Sequence, residues 1–337
     1  MRKITLKELS VITGYSVTTI SRVLSGKGKE SRVSEEAIER IFAEAQKANY
    51  KPNVFAQSLR TTRTNTIGLI LPSLSNSYFA NIASIVIKTA YNNDYRVSIY
   101  DTLDNHSHEE EVIETLLSQN IDGLIVVPAG KDASYIERIC EAGTPVVLLD
   151  RYFEESSLKY IATDNYRGAV MATEFFIRNG HKQILCLQGI PFSSANRERI
   201  EGYIHSMTKF GLEDYAYVAG DDFSFESGYV QTKLALSSDN VPTAIFALSN
   251  TILLGALRAI KESGLKVPHD ISIISFDNAV YLDFLDPAIT RIAQPAKEMG
   301  ALAVELMIKL FEGRSIENMR LLPQLIMGES VRNLFCE

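Results

Sequence analysis

The chain has 337 residues, of which 46% are apolar and 22% charged, and its formal net charge at pH 7 is −7. This length can bury about two or three hydrophobic cores, and no apolar run approaches the ~18 residues of a membrane-spanning helix. Cys140, Cys186 and Cys336 show no paired spacing, and the first residues do not form an apolar secretory segment. We therefore expect a cytoplasmic protein without a disulfide framework.

Charge is distributed unevenly along the chain. Residues 1–64, here called the head, contain twelve Lys and Arg and six Glu, a balance of +6. Since the whole chain has a net charge of −7, residues 65–337, here called the body, have a net charge of −13. A basic segment joined to an acidic remainder is typical of a nucleic-acid-binding module attached to a part that does not bind nucleic acid.

The beginning of the head predicts two short helices joined by a tight turn. Thr5 and Glu8 have the spacing of a capping box, so the first helix should begin near Leu6. Gly14 supplies the left-handed conformation that ends this helix, and Ser16 is a suitable N-cap for the second one. A helix-turn-helix unit of this kind places its second helix in the major groove of DNA.

Apolar residues recur at helical spacing and define the faces expected to be buried. A third helix follows Ser34 as N-cap. The predicted inner faces are Leu6, Leu9, Val11 and Ile12 in the first helix, Val17, Ile20, Val23 and Leu24 in the second, and Ile38, Ile41, Phe42 and Ala45 in the third. The second helix then turns outward Thr18, Thr19, Ser21, Arg22 and Ser25. These hydroxyls and the guanidinium suit phosphate oxygens and base edges, so residues 1–50 predict a DNA-binding domain; a small helical bundle is the alternative.

Residues 51–64 are predicted to form a hinge. Pro52 prevents the third helix from continuing and Asn53 can cap another, but residues 54–60 are too few for a helix that is stable alone. We expect this helix to order on DNA, with Leu59 as a wedge in a minor-groove base step. Ala56 would pack closely, and Gln57 or Arg60 would lie near the DNA backbone. The alternative is a plain linker with an incidental leucine.

The body alternates apolar strands with amphipathic helices, which predicts βαβ units on parallel sheets. The strand segments are TIGLIL, YRVSIY, IDGLIVV, TPVVLLD, QILCLQG, YAYVAG, TAIFALS, DISIISFD and LLPQLIMGES, with a further strand near Ile289 to Ala293. The predicted fold is an all-α helix-turn-helix domain plus an α/β body of two doubly wound parallel-sheet lobes. The first lobe is predicted over residues 65–163 plus 293–323, and the second over 164–292 plus 324–337. Small ligands bind such sheets at the carboxyl ends of their strands.

Polar and aromatic side chains follow the predicted strands. The candidates for ligand binding are Asn76, Tyr78, Phe79, Asp150, Arg151, Arg199, Phe223, Asn250, Asp277 and Gln294. Bidentate polar groups combined with aromatic faces fit a sugar. Among these candidates, Arg199 is predicted to open a helix. The structural alternatives are an internal ion pair of Asp150 with Arg151, core positions for Phe79 and Phe223, and a capping role for Asn250. Asp277 and Arg199 are the strongest candidates, because unpaired buried charges are costly.

Other residues predict neither catalysis nor metal binding. His106 and His108 precede three glutamates, but acidic residues in the first turn complement the helix dipole, which favours a solvated helix face. The sequence has no nucleophile arrangement and no glycine-rich phosphate loop, so we expect no catalytic residues, no metal and no cofactor. An enzyme using Asp150 and Asp277 is a rival hypothesis. It is disfavoured because arginine or amide partners are expected to keep both carboxylates ionised.

The order of these segments resembles the LacI/GalR family of bacterial transcription regulators over almost the entire chain. The resemblance is carried by SVTTISRVLSG, NYKPNVFAQSLRT, TIGLILPSLSNSYF, IDGLIVVP, LLDR, ATDNYRGA, RIEGY, ISIISFDN and the Gln294-Pro295 pair before KEMGALAVELM. It implies that Val17, Thr18 and Arg22 read bases, that Ser16, Thr19 and Ser21 hold phosphates, and that Leu59 opens the centre of a palindromic operator bound by a dimer. The full set of DNA-binding candidates is Thr5, Ser16, Val17, Thr18, Thr19, Ser21, Arg22, Ser25, Asn53, Ala56, Gln57 and Leu59.

The pocket candidates are similar in order and type to those of the bacterial periplasmic ribose-binding protein, with Tyr78 in place of a phenylalanine. The resemblance implies a repressor of sugar-metabolism genes, released from double-stranded operator DNA by a ribose-like monosaccharide. It also implies a homodimer, since ESVRNLFCE has no heptads for a tetramerisation helix. We expect it on the bacterial nucleoid, with no membrane partner. The alternatives are a regulator that needs a purine or sugar-phosphate co-repressor, and a sugar-binding transport protein.

Overall fold

The computed structural model describes residues 4–26, 28, 30–50 and 63–335. It divides the chain into two compact units, Met1–Thr64 and Asn65–Glu337, which correspond to the head and the body. Most of the predicted hinge, with Asn53, Ala56, Gln57 and Leu59, lies outside the described residues. The predictions for these four residues therefore stay predictions.

Three helices make up the described part of the head: α1 Leu6–Thr13, α2 Val17–Leu24 and α3 Glu35–Lys47. The capping box is confirmed, because Thr5 and Glu8 bond each other's backbone N–H through their side chains. Gly14 ends α1 with a φ of +79°. Ser16 Oγ accepts from Thr19 N at 3.1 Å, and Ser34 Oγ accepts from the backbone at the start of α3. Each predicted helix start is therefore correct.

The core of the head is smaller than the apolar pattern predicted. It consists of Leu9, Ile20, Val23, Ile41 and Ala45, with a few partly buried neighbours. The burial predicted for Val11, Ile12, Val17 and Phe42 is wrong, since these side chains are between 39% and 85% exposed. Helices of eight residues have only about two turns. A narrow stripe on each therefore reaches the other helices, and a unit this small leaves much apolar surface uncovered.

The body contains two six-stranded sheets, one in each lobe. In the first sheet all neighbouring strands are parallel, in the order β11-β5-β4-β3-β1-β2. Its strands are β1 Thr66–Leu71, β2 Arg96–Asp101, β3 Gly123–Val126, β4 Val146–Leu149, β5 Tyr160–Thr163 and β11 Met319–Leu321. The helices of this lobe are α4 Ser77–Asn92, α5 His106–Ser118, α6 Ser134–Glu141 and α11 Ala296–Phe311. Two apolar clusters cover the two faces of this sheet.

The second sheet has the order β12-β10-β9-β8-β6-β7 and is parallel except for the β10–β12 pair. Its strands are β6 Ile184–Leu187, β7 Ala216–Ala219, β8 Ala244–Ala247, β9 Ser272–Phe276, β10 Thr290–Ala293 and β12 Gln324–Ile326. The helices are α7 Asn165–Arg178, α8 Ser194–Lys209, α9 Phe225–Leu236 and α10 Asn250–Glu262, with short 3₁₀ helices at Glu213–Tyr215 and Val280–Asp283. Two further apolar clusters cover this sheet.

The chain passes between the lobes more than once. After β5 it leaves the first sheet for α7, whose buried residues belong to the second lobe. After β10 it returns, because α11 packs in the first lobe and β11 joins the first sheet, and β12 then pairs in the second. These memberships support the predicted lobe boundaries, which stay predictions. The predicted fold class is confirmed, although β5 and β11 were not predicted as strands.

Among the described residues, no helix combines the length and apolar composition needed to cross a bilayer.

Candidate functional site

The carboxyl ends of strands from both lobes border a cavity of about 570 Å³. The predicted ligand-binding residues that line it are Asn76, Tyr78, Phe79, Asp150, Arg151, Arg199, Phe223, Asp277 and Gln294. Asp150 follows β4 with a φ of +66°, and Asp277 follows β9 with a φ of +79°. This conformation costs a residue other than glycine about 1–3 kcal/mol, and such strain clusters at functional sites. The two carboxylates are thus placed at equivalent strand ends of the two lobes.

A run of close polar contacts links these two carboxylates. Tyr78 Oη donates to Asp150 Oδ1 at 2.8 Å and lies 3.1 Å from Gln294 Oε1. Gln294 Nε2 donates to Asp277 Oδ1 at 2.5 Å, while Thr163 Oγ1 donates to Gln294 Oε1 at 2.6 Å. Since Asp150 belongs to the first lobe and Asp277 to the second, these contacts connect the two lobes beside the cavity.

The positive charge of Arg199 attracts both carboxylates, but its hydrogen bonds go to other groups. Its Nε donates to Asn165 Oδ1 at 2.8 Å and its Nη1 to the Leu248 carbonyl at 2.6 Å. The guanidinium also lies 3.7 Å from the ring centroid of Phe276. The prediction that Arg199 opens a helix is wrong: α8 begins at Ser194, so Arg199 stands in its second turn. The charge is buried, and its Nε and Nη1 are bonded to protein acceptors.

Arg151 pairs with Asp104 and not with Asp150. Its two terminal nitrogens lie 2.5 and 3.0 Å from the carboxylate oxygens of Asp104, and one of them also donates to the Pro128 carbonyl. The guanidinium lies 5.6 Å from the ring centroid of Phe223 in the other lobe. The alternative of an internal Asp150–Arg151 pair is therefore wrong. Sequence reasoning missed Asp104, which follows β2 at the same sheet edge as Asp150.

Asn250 does not cap the following helix, as its structural alternative proposed. Ser249 is the N-cap of α10, and its side chain accepts from Ile252 N. The Asn250 side chain is buried, yet neither of its amide atoms has a hydrogen-bond partner among the residues described. An unpaired buried amide is costly, by about 1–3 kcal/mol, which is consistent with a group kept for a ligand. Its neighbours Ser249 and Thr251 line the cavity.

Burial shifts the acid–base properties of the pocket. It raises the pKa of Asp150 and of Asp277, and the attraction of Arg199 offsets only part of this. It also raises the pKa of Tyr78 well above its usual value, so the phenol keeps its proton and donates. Burial outweighs the attraction of the neighbouring groups in direction, and the prediction that both carboxylates are ionised stays a prediction. Desolvation dominates because the groups are fully enclosed.

The helix that begins at His106 departs from the predicted solvated face at one residue, since His106 and Glu111 are exposed and His108 and Glu110 are half-buried. Glu109 is buried, and its Oε2 accepts from Ala129 N at 2.7 Å. Burial raises the pKa of this carboxyl. Across residues 4–26, 28, 30–50 and 63–335, no group of three or more His, Cys, Asp or Glu side chains could hold a metal ion.

A second polar cluster, which sequence reasoning missed, lies where the lobes meet. Arg320 on β11 forms an ion pair with Glu198 on α8 at 2.9 Å, and it bonds the Tyr152 hydroxyl, which also bonds Glu198. The Tyr152 and Tyr160 rings are stacked with centroids 4.0 Å apart. Local sequence carries no signal for contacts between such distant segments.

In the head, α2 exposes the polar face that its sequence predicted. Thr18, Arg22 and Ser25 are exposed, whereas Thr19 and Ser21 are half-buried. Val17 at the start of the helix is 39% exposed. Thr5 and Ser16 are also exposed, although both use their hydroxyls as helix caps. The face offers short hydroxyls, one guanidinium and one apolar side chain, which suits the edges of bases and the phosphates beside them.

Comparison with known proteins gives matches over the entire chain. Residues 5–53 match the family profile of bacterial regulatory proteins of the lacI family, and residues 173–331 match a periplasmic binding protein-like domain. The HTH-type transcriptional repressor PurR of Actinobacillus pleuropneumoniae is 30% identical over 98% of this chain and 99% of its own length. The ribose operon repressor of Haemophilus influenzae has the same identity and coverage.

The fold comparison agrees with these sequence matches. A crystal structure of the lac repressor dimer bound to operator and the anti-inducer ONPF superposes with a TM-score of 0.88 at 27% identity. The match covers 98% of this chain and 100% of that one. The chain therefore belongs to the lacI family of bacterial regulatory proteins: it is a helix-turn-helix transcriptional repressor with a periplasmic-binding-protein-like body, and it is not an enzyme.

Proposed function

We propose that this repressor controls sugar-metabolism genes and leaves its palindromic operator when a ribose-like monosaccharide binds between the two lobes of the body. The observation that carries the proposal is the pair of buried carboxylates, Asp150 and Asp277, which line one cavity. The ribose operon repressor of Haemophilus influenzae, a relative over the full chain, supports this effector class.

The charges of the pocket favour a neutral polyhydroxyl ligand. Carboxylate oxygens accept hydrogen bonds from hydroxyls, and an amide can both donate and accept. A sugar phosphate is disfavoured, because two carboxylates would repel it while Arg151 is already paired with Asp104. Arg199 also spends two donor groups on Asn165 and Leu248. The aromatic rings of Phe79 and Phe223 offer apolar faces to the C–H surface of a sugar ring.

DNA recognition is proposed for the outer face of α2 and for the hinge. Val17, Thr18 and Arg22 would contact bases, and the DNA-binding candidates with hydroxyls would hold phosphates. The positive balance of the head supports this assignment, because phosphate contacts supply much of the affinity. Leu59 would insert at the centre of the operator. We expect the protein to act on the nucleoid in the bacterial cytoplasm.

Helix α4 offers a route from the pocket to a homodimer contact. Its first turn carries Tyr78 and Phe79 in the pocket. Further along, Ile87 and Tyr91 are exposed, beside the exposed Leu74. An apolar surface on a helix anchored by the ligand fits contact with a second copy, so closure of the lobes would shift that contact. Couplings of about 1–3 kcal/mol would change operator affinity roughly 5- to 150-fold.

Calorimetric titration tests the effector class directly. Purified protein is titrated with D-ribose, other pentoses and hexoses, ribose 5-phosphate, and purine bases. We expect saturable binding of a free monosaccharide. Binding of a purine or a sugar phosphate without any free sugar would contradict the proposal and favour a co-repressor instead.

A further inference from the structure

We propose that the Tyr78 hydroxyl sets the effector specificity of the pocket by occupying a hydrogen-bonding place on Asp150 that one sugar hydroxyl would otherwise take. This inference rests on the monosaccharide effector proposed above. It concerns which hydroxyls of the sugar contribute to binding affinity and which do not.

The carboxylate oxygens of the pocket differ in how many of their places are filled. Asp277 Oδ1 accepts from Gln294 Nε2, and Asp277 Oδ2 accepts from Asn250 N at 3.3 Å. Asp150 Oδ1 accepts from Tyr78, whereas Asp150 Oδ2 receives no hydrogen bond from the part of the chain that the structure describes. One oxygen of Asp150 thus stays open to a ligand, and the other is already served by the protein.

The Tyr78 hydroxyl is fixed in place from several sides. The residue is 4% exposed, and its ring packs edge-on against Phe79 with centroids 5.1 Å apart. Its oxygen also lies 3.1 Å from Gln294 Oε1 and 3.7 Å from Met299 Sδ. A phenol has one proton to give, and the shorter contact to a carboxylate is the stronger one. Tyr78 therefore donates its hydrogen bond to Asp150, and its raised pKa keeps the phenol protonated.

The side-chain amide of Gln294 is held at both ends, so it cannot easily rotate away from Tyr78. Its carbonyl oxygen accepts from Thr163, while its amide nitrogen is held by Asp277. A ligand hydroxyl entering beside Asp150 Oδ1 would have to displace a phenol that is packed, protonated and flanked by a fixed amide. In the wild-type pocket the nearby sugar hydroxyl is therefore expected to make no hydrogen bond to Asp150 Oδ1.

This arrangement changes how the pocket discriminates between sugars. A buried acceptor that only the ligand can satisfy penalises an analogue lacking the matching hydroxyl, because the acceptor stays unpaired. With Tyr78 present, Asp150 Oδ1 already accepts a hydrogen bond from the phenol. An analogue that lacks the sugar hydroxyl nearest this oxygen therefore loses little affinity. With phenylalanine at this position the same oxygen becomes bare, and the pocket begins to demand the hydroxyl.

The test compares the wild-type protein with Tyr78→Phe by calorimetry. Dissociation constants are measured for D-ribose and for its 1-, 2-, 3- and 5-deoxy analogues. We expect the ratio of the deoxy to the ribose constant to rise at least about tenfold in the variant at one ring position, and to stay unchanged at the others. Tyr229→Phe, which removes a surface phenol bonded to Glu262, is the matched control and should leave all ratios unchanged.

The outcomes separate this inference from the proposed function. If free sugars bind and all ratios are equal in wild type and variant, the role of Tyr78 is overturned while the effector class stands. If no monosaccharide binds the wild-type protein, the effector class fails and this inference fails with it. A crystal structure of the wild-type protein with ribose gives an independent readout. Tyr78 Oη should remain on Asp150 Oδ1, and a sugar hydroxyl found there would overturn the inference.

Discussion

The outer face of α2 and the pocket of the body both present polar side chains, but they hold them differently. On α2, Thr18 and Arg22 are exposed to solvent. In the pocket, Asp150, Asp277 and Arg199 are each no more than 5% exposed and are bonded to neighbouring groups. Exposed groups can be exchanged with little effect on folding, whereas buried groups couple ligand binding to stability. This difference predicts separate responses of the two regions to substitution.

The largest expected effect comes from the small core of the head. Leu9→Ala removes a fully buried side chain, at a cost of about 2–5 kcal/mol. Since few other residues share this core, we expect the head to unfold and operator binding to be lost while sugar binding by the body persists. Gel shift and calorimetry measure the two activities. Val11→Ala, at an 85% exposed position of the same helix, is the control and should change neither.

Asp150→Asn should separate function from stability in the pocket. Sugar affinity is expected to fall roughly 10- to 150-fold, because a charged hydrogen-bond acceptor is lost. The pKa of Asp150 is raised by burial above its usual 3.8, so the stability it contributes is present below pH 3.8 and is lost as pH rises through the folded pKa. An asparagine at this position does not ionise, so the variant keeps this stability at pH 7 and should have a higher melting temperature there than the wild type. Thermal unfolding at several pH values measures this, and a lower melting temperature at pH 7 would contradict it.

Arg22→Ala should weaken DNA binding without changing the stability of the head. Removing one base-reading guanidinium costs about 1–3 kcal/mol, a roughly 5- to 150-fold loss of operator affinity. The melting temperature should stay unchanged because Arg22 is exposed. Arg40→Ala removes the same charge from an exposed position on α3 and is the matched control. Equal losses of specific affinity in the two variants would show that Arg22 contributes only charge.

The smallest effects distinguish capping from DNA contact. Ser16→Ala and Ser34→Ala each remove an N-cap, so each should destabilise the head by about 1 kcal/mol. If Ser16 also holds a phosphate, only Ser16→Ala weakens operator binding beyond this loss of stability. Binding to duplex DNA at a temperature where both variants remain folded makes the comparison. Indistinguishable operator affinities would confine Ser16 to its capping role.

Local features were predictable from the sequence because they depend on neighbours in the chain. The caps at Thr5, Ser16 and Ser34 need a side chain and a backbone N–H within three residues, and all three are present. The pocket residues other than Asn250 line one cavity because parallel strands end at one edge of a sheet. This placement requires only the positions of the strands.

Contacts between distant segments were not predictable. Asp104 pairs with Arg151, which is 47 residues away in the chain, and Ser249 is the N-cap of α10 in place of Asn250. Which side of a short helix is buried depends on where its partner helices lie, so the exposure of Val11 was unforeseen. The direction of the carboxylate pKa shifts also required the structure, because desolvation depends on the complete enclosure of Asp150 and Asp277.

Operator binding measured with and without sugar tests the central claim most directly. The protein is bound to a library of palindromic duplexes at one fixed salt concentration, since salt sets the nonspecific background. The selected palindrome is then titrated in the presence of D-ribose and related sugars. We predict that a palindrome is enriched and that one sugar lowers its occupancy in a saturable manner. Enrichment of a palindrome whose occupancy no sugar changes, or which a sugar increases, would contradict the account.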